Sequence, residues 1–566
     1  MESDPLFFIK KYKYYSWIVG LGLLVYANSL FNGFIWDDKT YIINNAQVHT
    51  LSLNLLFGQN WFNSAGFYRP IPALYFASLY VLFGNISFFY HIFQVGLHII
   101  NVILIFALFK KFINKPLSLI LSLIFLVHPL NTESVGYIAA SDSGIFFFFG
   151  LSALLLSWQE KISSKKAAFI FFLLLLSIMS KETGVLFVLL ILLSRLLFHK
   201  KLLGLFIGGS IITLIVYACL RIAVIGTHYV KQNTVPIMQL SFLQRMMHVP
   251  EIIWYYVSTF FFPLHLAVSQ NWIITHPTFA NFYFPLLIDS LLCLMMLSGG
   301  FFLFKKNALS PYIFFSFWIV MGIGMLLQLI PLDMTVADRW MYFPMVGILG
   351  VLGILCQQVI TKVKSREYIL VAVVIIALLS ISTVFRNADW IDAQTLYSHD
   401  IVVSDDYNKE DGLAAELISQ GKYDEALQHA RLSASLFPNF ANTNDIGVIY
   451  QHKGDIQKAT YYYQKAVAMH AGTISPYLNL AEIYTLYGDP SLSVPILQNT
   501  LLKQYPGLSR LWVLLAVTQY RLGKYDSALR SAEKAYSLSA NSQTMYVLSF
   551  IQNKSAIISL DIKSLE

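Results

Sequence analysis

Residues 171–195 read FFLLLLSIMSKETGVLFVLLILLSR, two apolar runs joined by the polar turn SKETG at 180–184. A helix needs roughly 17 to 25 apolar residues to cross a bilayer, and the runs approach that length when extended to 166–180 and 184–199. Charged residues at helix ends beside lipid are costly and usually face a cavity. The stretch therefore predicts two membrane helices whose turn, with Lys181 and Glu182, borders a polar site.

The same apolar pattern recurs over the first two thirds of the chain. Of the 566 residues, 57% are hydrophobic and only 12% are charged, whereas a soluble domain has about 25% charged residues. The deficit lies before residue 386. We predict an all-α, polytopic membrane domain at 1–385 with about eleven membrane helices, near 14–31, 88–110, 116–131, 142–158, 166–180, 184–199, 202–222, 283–304, 310–331, 341–361 and 367–385.

Lysine clusters predict the orientation, because basic residues mark the cytoplasmic side of a membrane protein. They fall at every second turn, which places the N-terminus inside and residues 386–566 outside. The apolar stretches 70–84 and 249–267 then lie in the outer interface without crossing; the alternative is that one of them crosses. The clusters are Lys10/Lys11/Lys13, Lys110/Lys111/Lys115, Lys161/Lys165/Lys166, Lys200/Lys201, Lys305/Lys306 and Lys362/Lys364/Arg366.

These clusters account for most of the net charge of +8, so the charge does not indicate nucleic acid binding. In a bacterium the membrane would be the inner membrane, with residues 386–566 in the periplasm.

Residues 407–541 repeat with a period near 34, which is typical of tetratricopeptide repeats. The phrases GKYDEAL (421–427) and GKYDSAL (523–529) nearly coincide, and about four units follow one another. We predict a linker at 386–406 and a capping helix with a tail at 542–566. Such arrays form concave surfaces that bind proteins, so the repeats are expected to bind a protein partner or to serve as a structural cap. The small residue of each second helix is Ala426, Ala459, Ser493 or Ala528.

The predicted outer turns carry the polar residues, whereas the inner turns carry mainly lysine. Asp37 and Asp38 follow the first helix, and two adjacent carboxylates raise the pKa of one of them unless a cation is near. Such a pair suits a general base or a divalent cation site; a solvated loop could also carry it. The other outer residues are Arg69, His128, Glu133, Asp142, Lys181, Glu182, Asp333, Asp338, Arg339 and Tyr342.

Lys181 and Arg339 are candidate phosphate ligands, since a guanidinium pairs two oxygens at once. Alternatively, Lys181 and Glu182 form an ion pair at the membrane edge, and Arg339 marks a helix end. His91, His98 and His128 lie on apolar segments and are each more typical of satisfied interior histidines than of ligands. The sequence has no ligand spacing for a transition metal.

The chain resembles the transmembrane and tetratricopeptide-repeat-containing O-mannosyltransferases and their bacterial relatives, within the GT-C class of glycosyltransferases. The resemblance covers nearly the whole chain. It rests on WDDKTYIINN (36–45), YRPIPALYF (68–76), HIFQVGLHIIN (91–101), VHPLNTESVGYIAA (127–140), SKETG (180–184), VADRWMYFP (336–344) and DWIDAQTLY (389–397).

The resemblance implies a GT-C-like fold, a donor sugar on a polyprenyl phosphate, and Asp37 as the catalytic base, with Asp38 beside it. Many relatives have an Arg near the acidic residue that follows the HP-x-x-x-E segment, whereas the sequence here is Ala-Ser-Asp-Ser with Asp142. The alternatives are a membrane-anchored repeat scaffold that recruits partners and, third, a transporter. The candidate donor-phosphate or acceptor contacts are Arg69, His91, His128, Glu133, Asp142, Lys181, Glu182, Arg339 and Tyr342.

Overall fold

The computed structural model describes residues 5–58, 66–159, 161–226, 235–304, 306, 308–360, 365–469 and 474–553. Lysines 305, 362 and 364 of the predicted topology and the tail 554–566 lie outside these residues. Two compact units divide the chain, Met1–Asp405 and Asp406–Glu566. Within the described part both are helical, and extended backbone pairs only at Gln270 and Val336. The all-α class is confirmed.

Each of the eleven predicted membrane segments contains one principal helix of the first unit. The segment predicted at 310–331 is helical only up to Gly324, and the first helix ends at Val25. The eleven helices are Pro5–Val25, Ser87–Phe109, Lys115–Leu126, Ser141–Ser157, Ser164–Ser180, Val185–Phe198, Leu203–Ile225, Phe284–Leu303, Leu309–Gly324, Pro344–Ile360 and Ser365–Asp389.

Helix length supports fewer membrane crossings than eleven. Within the described residues, five helices are long and apolar enough to cross, and a sixth crossing results if Lys115–Leu126 and Pro129–Gly136, bent by 52°, form one span. Pro5–Val25 has 21 residues but carries three lysines. The others are too short, because a helix of 14 residues such as Val185–Phe198 measures only about 21 Å at 1.5 Å per residue. The hydrocarbon core is about 30 Å thick.

Two short helices occupy the stretches predicted to lie in the interface. Pro70–Phe83 has 14 residues and Val249–Phe261 has 13. Both carry proline in the first turn, where its missing N–H costs nothing because those amides have no helical partner. Both are shorter than the hydrocarbon core is thick, as Val185–Phe198 is, so length alone does not separate them from the short helices of the predicted spans.

A core of aromatic rings packs against the turn that carries Arg339. The buried Tyr342 ring lies 5.1 Å from Phe125 and 5.3 Å from Phe147, both edge-on. Phe147 in turn contacts Phe187 at 5.6 Å. Helices from different parts of the chain therefore fix the position of this turn.

Residues 386–406, predicted as a linker, are helical. The helix Ser365–Asp389 extends past the predicted span, and a second helix, Ala393–Val403, follows it. Two hydrogen bonds, of 2.7 and 3.0 Å, join the Arg386 guanidinium to the fully buried Asp400 carboxylate. A buried ion pair and an Asp392 helix cap thus hold this helical segment in the first unit.

The second unit contains four pairs of helices and one further helix. The small residues of the repeat are fully buried where paired helices meet, and a Cβ on Gly447 would come within 2.6 Å of the Tyr463 ring. The third repeat is irregular, because Pro495 interrupts its second helix and a π-helical turn, Ile496–Leu501, follows. The regular helices are Tyr407–Ser419, Tyr423–Leu436, Phe440–His452, Ile456–Met469, Ile474–Leu486, Ser509–Arg521, Tyr525–Leu538 and Ser542–Gln552.

Candidate functional site

Four turns that are far apart in sequence come together at one end of the helices of the first unit. Asp37 in the first turn accepts a hydrogen bond from Tyr137 in the second. Arg69 pairs with Glu182 in the third turn, and Arg339 in the fourth pairs with Glu133 in the second. The polar residues that the sequence assigned to one surface thus form a connected site.

The adjacent aspartates differ in what they contact. Asp38 is fully buried, and its two oxygens accept hydrogen bonds from the backbone N–H groups of Ala139 at 2.7 Å and Ile35 at 3.2 Å. Asp37 is half-buried; its Oδ2 accepts from the Tyr137 hydroxyl at 2.7 Å. Its Oδ1 accepts no hydrogen bond from any residue the structure describes. Asp38 therefore fixes the backbone at Ile35 and Ala139, whereas one oxygen of Asp37 could contact a reactant.

Burial raises the pKa of both carboxyls. For Asp38 the pKa lies well above its usual value, because desolvation outweighs the backbone hydrogen bonds. For Asp37 the pKa is also raised by burial, while the Tyr137 hydrogen bond and the Arg339 charge act in the opposite direction. A raised pKa brings a carboxylate closer to the proton affinity that a general base needs near neutral pH.

Three stacked rings, which we call the aromatic column, lie next to Asp37. Trp36 lies 5.3 Å from Tyr137 at an interplanar angle of 15°, and Tyr137 lies 5.8 Å from Trp390 at 28°. Arg339 lies over the Trp36 ring and Arg386 over the Trp390 ring, each 5.7 Å from the centroid. Trp36 has a φ of +50°, a conformation that a bulky residue adopts only where its surroundings impose it.

A second cluster joins Arg69 to the SKETG turn. The Arg69 guanidinium contacts Asp142 at 2.8 Å and Glu182 at 2.6 Å, and Lys181 contacts the other Asp142 oxygen at 3.2 Å. The sequence lacks an arginine beside Asp142, and the structure places Arg69, 73 residues earlier in the chain, against it. Because the two residues are far apart in the sequence, no local motif indicates this pairing.

The SKETG turn needs its glycine because the backbone approaches closely there. A Cβ on Gly184 would come within 2.6 Å of the Ser177 carbonyl carbon and oxygen. Such distances are shorter than real Cβ contacts, and the obstacle is backbone that cannot rotate away. Gly184 therefore lets the turn fold tightly onto the preceding helix and keeps Lys181 at the site.

Lys181 and Arg339 line the same small pocket. The polar residues Ser143 and Thr183 also line it, and the other lining residues are Phe146, Leu186, Gly322, Met325, Leu326, Trp340, Tyr342, Phe343 and Pro344. Lys181 donates to Ser143 Oγ at 2.8 Å. Burial lowers the pKa of Lys181, while Asp142 counteracts this shift. A pocket lined by two cations and by many apolar side chains suits an amphiphile with an anionic head.

The remaining candidate residues hold the fold together. His91 Nε2 lies 3.0 Å from the Asn32 carbonyl oxygen, and His128 Nε2 lies 2.9 Å from that of Phe260. The Tyr342 hydroxyl, although Tyr342 lines the pocket, bonds to His98 and Asn101 in the interior. His128 is thus a satisfied interior side chain, since its Nδ1 also accepts from the Leu130 N–H at 3.3 Å, whereas the buried Nδ1 of His91 has no hydrogen-bond partner among the described residues.

The two aspartates do not fit a divalent cation held between them. A cation site needs several oxygens with free lone pairs directed to one point, and backbone amides already occupy both oxygens of Asp38. Among the described residues no group of three or more His, Cys, Asp or Glu side chains could hold a metal.

Sequence reasoning did not single out the aromatic partners of Asp37. Tyr137 and Trp390 lie inside quoted motifs, VGYIAA and DWIDAQ, but nothing in their spacing indicates that they stack. The buried Asp338, which accepts from Tyr255 at 2.6 Å, also forms part of this region. Burial raises the pKa of Asp338 above its usual value, and the nearby Glu133 charge acts in the same direction.

The fold and site define a membrane protein with a C-terminal tetratricopeptide array. A family model described as "Tetratricopeptide repeat" matches residues 509–542, and several helices of the first unit are apolar enough to span a bilayer. The solved structure titled "Crystal structure of APC/C hetero-tetramer Cut9-Hcn1" aligns over 87% of this chain and 91% of that chain at 12% identity with a TM-score of 0.28, a similarity too low to define a shared fold.

Among curated proteins the chain is similar to several protein O-mannosyl-transferases. It is 33% identical over 141 residues to the TMTC3 protein of Homo sapiens, covering 23% of this chain and 15% of that protein. It is 23% identical over 424 residues to F38B6.6 of Caenorhabditis elegans, covering 68% of this chain and 57% of that protein. A third relative is TMTC1 of Mus musculus, 31% identical over 22% of this chain and 14% of that protein. The resemblance to these repeat-containing proteins is confirmed.

Proposed function

We propose that the chain is a membrane glycosyltransferase that moves a sugar, mannose by the relatives' names, from a polyprenyl phosphate to a protein hydroxyl. The observation that carries the proposal is the shared pocket: Lys181 and Arg339 both line it, together with apolar side chains. Arg339 also contacts Trp36, the neighbour of Asp37. A cation pair for phosphate therefore lies beside a carboxylate with a free oxygen.

The chemistry follows from these positions. Asp37 Oδ1 takes the proton of the acceptor hydroxyl, and the hydroxyl oxygen bonds to the anomeric carbon of the sugar. The bond between that carbon and the phosphate oxygen breaks, and the polyprenyl phosphate leaves with the electron pair. Lys181 and Arg339 stabilise the negative charge that develops on the leaving phosphate. Such a displacement requires the acceptor and Asp37 on one side of the sugar and the two cations on the other.

A scaffold without chemistry is the weaker alternative. Burying a cluster of charges costs free energy, and a simple membrane anchor does not require such a cluster. The site has two such clusters, Arg69 with Asp142 and Glu182, and Arg339 with Glu133. A recruiting platform would also need only one or two membrane helices.

We propose the GT-C-like arrangement of eleven crossings, with the charged turns and residues 386–566 on the outer face of the membrane. The lysine clusters support this order, and the short helices can cross where the bilayer thins around them. A reporter active only in the cytoplasm, fused after Glu566, is expected to be silent, whereas the same reporter fused after Lys111 should be active. Activity of the Glu566 fusion would contradict the outward orientation of the site.

We also propose that the repeats select the protein acceptor without taking part in the bond change. Truncation after Asp405, the end of the first unit, is then expected to abolish transfer to a folded protein while transfer to a short hydroxyl-containing peptide continues. The assay uses a polyprenyl-phosphate sugar and both acceptors in detergent. Equal loss of both activities in a correctly inserted truncation would contradict this division of roles.

A further inference from the structure

Tyr137 occupies a position that the proposed reaction makes important. Its hydroxyl donates to Asp37 Oδ2 at 2.7 Å, and its ring is buried between Trp36 and Trp390 in the aromatic column. A stacked ring with neighbours on both faces cannot swing its hydroxyl away. The direction of the hydrogen bond, and with it the orientation of the carboxylate, is therefore fixed by packing.

We infer that Tyr137 is a positioning residue that turns the Asp37 carboxylate so that Oδ1 faces the acceptor hydroxyl and Oδ2 remains occupied. A carboxylate that rotates freely presents either oxygen, or neither, to the reactant, and misplacement of about 1 Å can cost roughly 100-fold in rate. This inference rests on the proposed function, because it assigns Tyr137 a role through Asp37.

The protonation state of Tyr137 agrees with a permanent donor. Burial raises its pKa well above the usual value, and the charges of Asp37 and Asp38 raise it further. The hydroxyl thus keeps its proton throughout the range in which Asp37 titrates. The other titratable or charged groups that act on Asp37 are Arg339 and Asp333, and Asp37 in turn acts on Asp38 and Tyr41.

The sign of the pH effect follows from the hydrogen bond. Tyr137 donates to the ionised form of Asp37 and so lowers the pKa of that carboxyl, against the effect of burial. Removing the hydroxyl raises the Asp37 pKa further. Because the base must be ionised to accept a proton, the acid limb of the kcat/KM profile moves to higher pH, by roughly one pH unit for a hydrogen bond to a charged group.

The test is Tyr137→Phe in the full-length protein, with Tyr26→Phe as the matched control. The control removes another buried hydroxyl, which donates to the Leu126 carbonyl at 3.2 Å. Tyr137→Phe is expected to lower kcat about 10- to 100-fold and to move the acid limb upward, with the KM for the lipid-linked donor unchanged. Tyr26→Phe should leave the profile in place.

An unmoved acid limb in folded Tyr137→Phe overturns the inference. If that variant does not fold, 3-fluorotyrosine at position 137 keeps the ring and has a more acidic hydroxyl, so the limb should move to lower pH; an unchanged limb again overturns it. The proposed function has a separate test, Asp37→Asn. Wild-type turnover in that variant overturns both ideas, whereas an inactive Asp37→Asn with an unmoved Tyr137→Phe profile overturns only the role of Tyr137.

Discussion

Asp37→Asn is expected to lose about 100- to 10,000-fold in turnover, the usual contribution of a general base. The amide keeps the size of the side chain and can still accept the Tyr137 hydrogen bond, but it cannot take a proton from the acceptor. The KM for the donor should remain near that of the wild type, because the proposed phosphate ligands, Lys181 and Arg339, are unchanged. In vitro transfer from a polyprenyl-phosphate sugar measures both constants.

Asp333→Asn is the matched control for this change. Asp333 is exposed, and its charge acts on Asp37 without a direct hydrogen bond. The same substitution there should leave turnover within a few-fold of the wild type. Asp38→Asn is a poor control, since its new amide group would face the backbone N–H of Ile35 or Ala139 and would destabilise the loop. Near-wild-type turnover of folded Asp37→Asn would exclude Asp37 as the base.

Lys181→Met is expected to lower kcat by about 100- to 1,000-fold and to raise the KM for the donor, since a fixed positive group at a developing anion contributes roughly that much. Methionine keeps much of the length and apolar volume of the lysine stem. Asp142 remains paired with Arg69 at 2.8 Å, so the substitution does not leave a buried carboxylate without a cation. Donor binding and single-turnover rates separate the two effects.

Lys181 is a cleaner test of phosphate binding than Arg339. Removing Arg339 would leave Glu133, whose side chain is only 2% exposed, as an unpaired buried charge, and breaking such a pair costs about 3 to 5 kcal/mol of stability. Lys165→Met, an exposed lysine in an inner cluster, serves as the matched control and should behave as wild type. Unchanged donor KM and kcat in Lys181→Met would contradict phosphate binding at this pocket.

The sequence could predict which turns form the site but not which side chains meet within it. Long apolar runs predict the membrane helices in order along the chain, and the lysine clusters mark every second turn between them. The remaining turns, which carry Asp37, Glu133, Lys181 and Arg339, are therefore predicted on the opposite surface. The repeats could also be predicted from the sequence. Their period of about 34 residues places Ala426 and Ala528 at equivalent positions, and both side chains are fully buried.

Contacts between distant segments were inaccessible to the same reasoning. The pairing of Arg69 with Asp142 and the stacking of Trp36, Tyr137 and Trp390 depend on helix crossings that no spacing encodes. Likewise, Asp37 and Asp38 look alike in sequence, and only the buried amides at Ala139 and Ile35 distinguish an anchoring carboxylate from an available one. The sequence also does not indicate the helices that follow residue 386. The ion pair that stabilises them, between Arg386 and Asp400, joins two polar residues whose contact no spacing predicts.

The aromatic column has a consequence for the biogenesis of the protein. Its rings come from the first turn, the second turn and the segment that follows the last membrane helix. Trp390, which completes it, leaves the ribosome only after every membrane helix has been made. A nascent chain inserted up to residue 385 would contain Asp37, Lys181 and Arg339 but would lack the ring that supports Tyr137. Under the proposed function, the ring support of Tyr137 is thus completed only after the whole membrane domain has been synthesised.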